Sequence, residues 1–164
     1  MRRIGITGGI GSGKSVVSRL LRIMGYSVYD TDSEAKRLME SSLEVVQKLS
    51  ECFGRDIYHN GRLNRGLLSS RVFGKSDKIV LLNSIVHPVV RFDFYRWSES
   101  LNEEICFVES AILYESRFDE LVDEVWTVTA PEELRISRVR QRSGLTEEEI
   151  KKRMAAQLSE EEKQ

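Results

Sequence analysis

The stretch GGIGSGKS, from Gly8 to Ser15, places a lysine and a serine directly after a run rich in glycine. Its spacing, Gly8-x-x-x-x-Gly13-Lys14-Ser15, is that of a P-loop. Glycines allow successive backbone N–H groups to point inward and to approach a phosphate chain without interference from a Cβ atom. The helix that would follow adds the partial positive charge of its N-terminus. The stretch therefore predicts binding of a nucleoside triphosphate.

Within this stretch, Lys14 is expected to bridge the β- and γ-phosphates, and the Ser15 hydroxyl is expected to ligate Mg²⁺. The predicted nucleotide contacts run along the loop and into the first turn of the helix: Gly9, Ile10, Gly11, Ser12, Gly13, Lys14, Ser15 and Val16. A GTPase would also need a D-x-x-G switch and an N-K-x-D guanine-binding motif, and neither follows the loop in this sequence. A small-molecule kinase fits better, because the chain is short and a helical segment follows the second strand. In such enzymes phosphoryl transfer needs positioning and charge more than covalent help.

Two aspartates, Asp30 and Asp32, follow the second apolar run of the chain. Residues two apart in an extended segment face the same way, so both side chains are expected to face one site. A kinase needs a carboxylate beside the acceptor hydroxyl and another polar group near Mg²⁺. Asp32 also has a structural interpretation, because an acid in the first turn of a helix interacts favourably with the helix dipole.

Three arginines, Arg135, Arg138 and Arg142, recur at helical spacing and therefore share one helix face. They are interpreted either as a solvated face paired with nearby glutamates or as a lid that closes over the triphosphate. The segment HPVVR adds His87 and Arg91. An arginine binds phosphate through its planar fork, whereas a lone histidine is more often a packed or solvated residue.

Hydrophobic spacing predicts the elements that position these residues. RIGIT, Arg3 to Thr7, is an apolar run that stops at glycine, as a buried parallel strand does. Apolar residues then recur at helical spacing up to Gly25, which is placed to end the helix in a left-handed cap. YSVYD, Tyr26 to Asp30, predicts a second strand. This βαβ unit puts the glycine loop at the carboxyl end of a strand, which favours a P-loop over a glycine-rich turn without a ligand.

The later part of the chain returns to apolar strands at ICFV and VWTVT, after a mostly helical segment. We predict an α/β protein with a parallel sheet in a three-layer core, formed by residues 1–40 and 102–164. Residues 41–101 are predicted to form a mostly helical insert, and a lid is expected near residues 135–157.

Local signals add detail to this organisation. Asn60-Gly61 predicts a hairpin turn, and Pro88 is expected to begin a new helix rather than to interrupt one. The acidic tail SEEEKQ is expected to continue the last helix in solvent.

Composition narrows the class of protein. The chain has 164 residues, of which 40% are hydrophobic and 31% charged, as is ordinary for a globular domain. The formal net charge of −1 gives no basic field that would favour nucleic acid or a membrane surface.

Cys52 and Cys106 lack the spacing of a metal or redox site and are expected to be buried thiols. Without a visible signal peptide or apolar span, the protein is expected to be cytoplasmic.

Five segments carry a resemblance to a known family. They occur in this order: IGITGGIGSGKS, VYDTD, HPVVR, ESAILYES and RMAAQLSEEEK. Together they resemble dephospho-coenzyme A kinase, and the match runs from Ile4 to Lys163. The resemblance implies a P-loop kinase core with a CoA-binding helical domain, here the substrate-binding insert of residues 41–101, and a lid. It also implies phosphorylation of the ribose 3′-hydroxyl of dephospho-CoA by Mg-ATP, the last step of CoA synthesis.

The resemblance also implies roles for individual residues. Asp32 would be the base or the group that orients the hydroxyl, with Lys14 as the phosphate-bridging catalytic lysine. Asp30 would contact substrate or a metal-bound water. The other residues matched to the family are His87 and Arg91 as dephospho-CoA contacts, Arg138 and Arg142 as lid arginines, and Arg153 and Gln157 in an R-x-x-x-Q segment.

The sequence departs from the family pattern at two places. Glu109 stands where the family commonly has aspartate, in a sequence like D-x-P-L-L, which weakens a direct metal role. Family members also continue into a further strand and helix, so the sequence is expected to be either incomplete or that of a shortened homologue. The alternatives are therefore another P-loop small-molecule kinase, or a nucleotide-binding homologue without turnover.

Overall fold

The structure is a computed structural model that describes residues 1–163. It contains two compact units. The first unit combines residues 1–30 with the chain from residue 98 onward, and the second unit comprises residues 31–97.

Helices and strands alternate at both ends of the chain, and helices dominate its middle. In chain order the elements are β1 (Arg2–Thr7), α1 (Lys14–Ile23), β2 (Val28–Asp30), α2 (Thr31–Ser41), α3 (Leu43–Phe53), β3 (Tyr58–His59), β4 (Arg62–Leu63), α4 (Arg65–Val72), α5 (Ser76–Ser100), β5 (Ile105–Glu109), β6 (Glu124–Thr127), α6 (Glu132–Ser143), α7 (Glu147–Ala155) and α8 (Glu160–Lys163). Two short 3₁₀ helices lie at Arg55–Ile57 and Phe118–Leu121.

A parallel sheet organises the first unit. Within residues 1–163 it has four strands in the order β2-β5-β1-β6. The register pairs Ile6 and Asp30 with Glu109, and Thr7 with Thr127. Because all four strands are parallel, their carboxyl ends meet at one edge, and the glycine loop leaves β1 there. The predicted α/β class with a parallel sheet is confirmed.

Apolar side chains hold α1 against this sheet. Leu21 of α1 packs with residues of the central strands in a buried cluster made of Ile4, Ile6, Leu21 and Phe107. Phe107 also meets the ring edge of Tyr26 at 5.5 Å between centroids and lies 5.3 Å from the ring of Trp126. Burial of a side chain of this size contributes roughly 1.5–3 kcal/mol to the free energy of unfolding. The cluster therefore holds α1 in place against the sheet.

The second unit is helical with one small hairpin. It starts at Thr31 and thus includes α2, whereas the sequence analysis assigns residues 31–40 to the core. The physical reason is packing: α2 contacts α3 and β4, and the Tyr58 hydroxyl donates to the Met39 carbonyl at 2.6 Å. The hairpin turns at Asn60 and Gly61, both with positive φ, as predicted.

Pro88 lies inside α5, so the prediction that it begins a new helix is wrong. A proline within a helix removes one backbone hydrogen bond and costs about 3 kcal/mol. The helix continues because Ile85, Val86 and Val90, on both sides of the proline, are buried in the second unit. Burial of three such side chains outweighs the loss of one hydrogen bond.

The two cysteines differ in environment. Cys106 is buried in β5, as predicted, and burial raises the pKa of its thiol. Cys52 is exposed on α3, so the prediction of two buried thiols is wrong for this residue. The buried face of α3 is formed by Val45, Leu49 and Phe53, and Cys52 falls between these positions on the solvent side.

None of the helices within residues 1–163 is both long and apolar enough to cross a membrane.

Candidate active site

The glycine loop between β1 and α1 has a backbone that only glycine adopts easily. Gly8 and Gly11 have φ values of +144° and +80°. A Cβ atom at Gly8 would overlap the Val128 carbonyl oxygen, and one at Gly11 would come within 2.6 Å of the Arg135 carbonyl oxygen. Both positions therefore combine an unusual conformation with close approach of another backbone. The glycines at these two positions therefore determine the backbone shape of the loop.

Lys14 begins α1, and its side chain folds back over the loop. Its Nζ donates to the Gly8 carbonyl at 2.7 Å and to the Gly9 carbonyl at 3.3 Å. The ammonium group is thus held over the loop by main-chain acceptors. Ser15 and Val16 follow in the first turn of α1, and both are exposed. The N-terminus of the helix and the ammonium group together favour an anion at this end of the loop.

Two loop amides already donate to side-chain oxygens. The Gly9 N–H donates to Glu160 Oε1 at 2.9 Å, and the Ile10 N–H donates to Gln157 Oε1 at 3.0 Å. A carboxylate oxygen is an anionic acceptor like a phosphate oxygen. Two backbone N–H groups of the loop therefore point outward at oxygen acceptors, one of them anionic, as donors to a phosphate group would.

Glu160 and Lys163 overturn the expectation of a solvated tail. α7 ends at Ala155, and α8 starts at Glu160 as a separate helix, so the tail does not continue the last helix. Lys163 is 1% exposed, and its Nζ donates to the Ala111 carbonyl at 3.4 Å. Residues 160–163 of the tail therefore contact the glycine loop and the segment after β5, whereas Gln164 lies outside the described residues.

A buried hydroxyl also fits a phosphate ligand. Ser12 is 4% exposed, and its Oγ has no hydrogen-bond partner among residues 1–163. A buried hydroxyl without a partner is unfavourable by about 1–3 kcal/mol. A ligand oxygen at the loop would satisfy it.

Helix α6 lies against the loop through two of the three arginines on its shared face. The Arg135 Nε donates to the Ile10 carbonyl at 3.0 Å. One Arg138 nitrogen donates to the Gly11 and Ser12 carbonyls at 3.3 and 3.2 Å. Ile10 itself packs against a buried cluster formed by Ile136, Val139 and Ile150. Both polar and apolar contacts therefore hold α6 on the loop.

Arg142, the third arginine of that face, is exposed near the C-terminal end of α6. Gly144 follows the helix with a φ of +68°. The structure thus brings Arg135 and Arg138, but not Arg142, to the glycine loop.

The carboxylates divide between strand ends and a helix. Asp30 ends β2 and pairs in register with Glu109 at the end of β5. Asp32 lies in the first turn of α2 and is exposed. The expectation that Asp30 and Asp32 lie in one extended segment is therefore wrong, because α2 starts at Thr31. In the described part of the chain, no group of three or more histidine, cysteine or acidic side chains is arranged to hold a metal ion.

His87 and Arg91 lie on α5 in the second unit, one helical turn apart. Burial lowers the pKa of His87, and the positive charge of Arg91 lowers it further. The imidazole is therefore neutral at neutral pH and can accept a hydrogen bond as well as donate one.

Sequence reasoning missed Glu160 as part of the site. An acidic run at the end of a chain has the same pattern whether it is solvated or folded back, so the sequence held no signal for it. Gln157 was matched only by resemblance, and Arg135 only as one of three equivalent arginines. The structure distinguishes Arg135, since its side chain is 8% exposed.

Comparison with known proteins gives a consistent family. The model of the dephospho-CoA kinase family matches residues 2–164. A dephospho-CoA kinase from Porphyromonas gingivalis is 46% identical over 157 residues, which cover 96% of this chain and 78% of the relative. One from Bacteroides fragilis is 42% identical over 162 residues, which cover 98% of this chain and 79% of the relative.

Solved structures agree with this similarity. A crystal structure from Thermus thermophilus matches with a TM-score of 0.84 and 39% identity, and covers 99% of this chain and 83% of that protein. Dephospho-CoA kinase from Campylobacter jejuni matches with a TM-score of 0.70 and 25% identity, over 99% of this chain and 84% of that protein. Shikimate kinase from Acinetobacter baumannii shares the fold, with a TM-score of 0.53 and 16% identity. The match covers 95% of this chain and 73% of that protein.

Proposed function

Because the chain belongs to the dephospho-CoA kinase family, we propose that it transfers the terminal phosphoryl group of ATP to the ribose 3′-hydroxyl of dephospho-CoA. The product is CoA, and the reaction is the last step of CoA synthesis. The observation that carries this proposal is the coincidence of a family match over residues 2–164 with a glycine loop whose amides donate to an anionic oxygen.

The nucleotide half of the reaction rests on the glycine loop. Its backbone N–H groups and the N-terminus of α1 bind the phosphate chain. Lys14 turns its ammonium group from the carbonyls of Gly8 and Gly9 toward the phosphates. Arg138 and Arg142 are the proposed lid arginines, which stabilise charge that develops during transfer.

The residues present also fit Mg²⁺. The ion prefers oxygen ligands, keeps several waters and is bound through substrate phosphates and protein carboxylates. In P-loop enzymes the Ser or Thr hydroxyl of the loop is a further ligand. Ser15 supplies that hydroxyl from the first turn of α1. Asp30 and Glu109, at neighbouring strand ends, would accept hydrogen bonds from waters of the ion. When bound, Mg²⁺ neutralises charge on the phosphates.

The acceptor half rests on residues of the second unit. Arg91 would bind a phosphate group of dephospho-CoA through its planar fork, and His87 would contact the same substrate as a neutral imidazole. Asp32 would lie beside the 3′-hydroxyl. These roles are supported by the family pattern.

In the proposed step, the 3′-oxygen of dephospho-CoA forms a bond to the terminal phosphorus of ATP. The bond between that phosphorus and the oxygen that bridges it to the β-phosphate breaks, and ADP leaves. Asp32 accepts the hydroxyl proton. The protein mainly supplies alignment and positive charge, which suffice because the transition state is loose.

The experiment that tests the function is incubation with Mg-ATP and dephospho-CoA, with CoA followed by chromatography and mass spectrometry. We expect CoA and ADP to form in equal amounts. A different preferred acceptor would favour another small-molecule kinase, and ATP binding without turnover of any acceptor would favour a nucleotide-binding homologue. Either result would overturn the assignment.

A further inference from the structure

One oxygen of Glu160 lies where two donors of the first unit meet. Glu160 Oε1 accepts the Gly9 N–H at 2.9 Å and lies 3.0 Å from Nη1 of Arg135. A main-chain amide and a guanidinium group that point at the same oxygen form an oxyanion position. The residue that fills this position is a carboxylate of the chain itself.

Arg135 is held in this position independently of Glu160. Its Nε donates to the Ile10 carbonyl at 3.0 Å, and its side chain is 8% exposed. The guanidinium group also lies against Gly9, where a Cβ atom would overlap it. An arginine fixed by its Nε on one side presents its other nitrogens as a preorganised fork.

In Glu160, by contrast, only one of the two carboxylate oxygens accepts a hydrogen bond within residues 1–163. Its Oε2 is buried and has no hydrogen-bond partner among the residues that the structure describes. The residue belongs to α8, which is four residues long. An anion that brings more oxygens and more charge to the same donors would therefore displace it.

The location of this position indicates which phosphate would take it. The lysine of a P-loop reaches the β- and γ-phosphates. Here the Nζ of Lys14 lies 3.3 Å from the carbonyl oxygen of Gly9, whose N–H binds Glu160. The oxyanion position is therefore next to the lysine that reaches the β- and γ-phosphates, at the part of the loop that precedes α1.

We propose that Glu160 Oε1 holds the position of an oxygen of the terminal phosphate of the nucleotide, with Arg135 and the Gly9 N–H as the donors for that oxygen. Glu160 then competes with nucleoside triphosphates for the loop and leaves when one binds, while Arg135 stays and becomes a phosphate ligand. This inference rests on the nucleotide half of the proposed function and adds a residue and a competitor to it.

The first experiment measures binding of ADP and of a non-hydrolysable ATP analogue by calorimetry, without acceptor. Removal of the competing charge in Glu160→Gln should tighten binding of the ATP analogue about tenfold and that of ADP less than about threefold. The matched control is Glu161→Gln, which removes the same charge from the next, exposed side chain and should change both affinities by less than about twofold.

A second pair of variants tests Arg135 without the competitor. In the Glu160→Gln protein, Arg135→Lys keeps the positive charge but loses the planar pair of guanidinium donors. It should weaken binding of the ATP analogue about tenfold and change the affinity for ADP little. Arg140→Lys in the same background is the control, because Arg140 is exposed on α6 and pairs with Glu147. If the Arg135 variant fails to fold by circular dichroism, the Glu160 pair alone decides.

The results separate this inference from the proposed function. Three results for Glu160→Gln count against it: weaker binding of the ATP analogue, unchanged binding of the analogue, or a change in the affinities for ADP and the analogue by the same factor. Each of these results would mean that Glu160 only holds α8 in place, and would overturn the inference. A wild-type protein that binds neither nucleotide would overturn the proposed function instead. CoA formation plays no part in these binding measurements.

Discussion

The glycine loop and helix α5 hold their candidate ligands in different ways. In the loop, the binding groups are mainly main-chain amides, fixed by glycines whose Cβ atoms would overlap neighbouring atoms. On α5, the candidate groups are the side chains of His87 and Arg91, one turn apart on a helix that is otherwise defined by its buried apolar residues.

This difference explains why the nucleotide-binding half is recognisable from the glycine loop alone, whereas His87 and Arg91 acquire a role only through the family resemblance. A main-chain site requires particular residues in consecutive positions, because the backbone itself must take a particular shape. A side-chain site on a helix requires only two residues at a spacing that occurs in any helix. Substitutions should therefore act differently in the two units.

The largest effect is expected at Lys14. Lys14→Ala removes the ammonium group that is held over the loop at the Gly8 carbonyl, so CoA formation should fall by about 10³-fold or more. Steady-state kinetics with Mg-ATP and dephospho-CoA measures this. Lys151→Ala, which removes an exposed lysine paired with Glu147, is the control and should retain full activity. A fully active Lys14→Ala protein would contradict the assignment of the Lys14 side chain to the phosphates at the loop.

The next effect is expected at Asp32. If Asp32 positions the acceptor hydroxyl, Asp32→Asn should lower kcat by at least about 10²-fold and leave ATP affinity near that of the wild type. Asp77→Asn is the matched control, since Asp77 is also an exposed acid in the first turn of a helix. Equal, small effects of both substitutions would assign Asp32 to the helix dipole alone.

A smaller effect tests the shape of the loop. Gly11→Ala should lower the free energy of unfolding by about 2 kcal/mol more than Gly25→Ala does. Both glycines have positive φ, but only at Gly11 does a Cβ meet the Arg135 backbone. At Gly25, apart from the adjacent residues of the chain, no atom of the described residues lies within 4 Å of a Cβ. Urea denaturation of both variants measures the difference. Equal destabilisation would mean that α6 does not rest on the loop.

The smallest effect concerns His87 and is a dependence on pH. Because burial lowers the pKa of His87, the unfolded chain binds a proton more readily than the folded chain. Stability from this residue is therefore complete above the ordinary histidine pKa of about 6.5 and is lost as the pH falls below it. His87→Gln should reduce the loss of stability between about pH 7.5 and about pH 5, as measured by urea denaturation. His59→Gln, in the exposed hairpin, should keep the wild-type dependence.

Much of the fold could be predicted from the sequence because its signals are local. Short apolar runs predicted the strands, and Asn60-Gly61 predicted the hairpin turn. The errors arose where distant contacts override local preference. Pro88 lies inside α5 because the residues around it are buried.

The candidate site was predictable only in part. The loop residues and the family followed from consecutive motifs, and the family match confirms the family. The roles of the loop residues stay predictions. The position of Asp32 was not predictable from alternation along a strand, because α2 starts one residue after β2 ends. The contact of Glu160 with Gly9 joins residues far apart in the sequence, so no local pattern reports it.

The most direct test of the account is calorimetric binding of ATP and of dephospho-CoA, each alone, to Lys14→Ala and Arg91→Gln. Lys14→Ala should weaken the binding of ATP by at least about tenfold and leave the affinity for dephospho-CoA unchanged. Arg91→Gln should weaken the binding of dephospho-CoA and leave the affinity for ATP unchanged. Loss of both ligands in both variants, exchange of the two effects, or unchanged affinities in Arg91→Gln would contradict the assignment of nucleotide to the first unit and acceptor to the second.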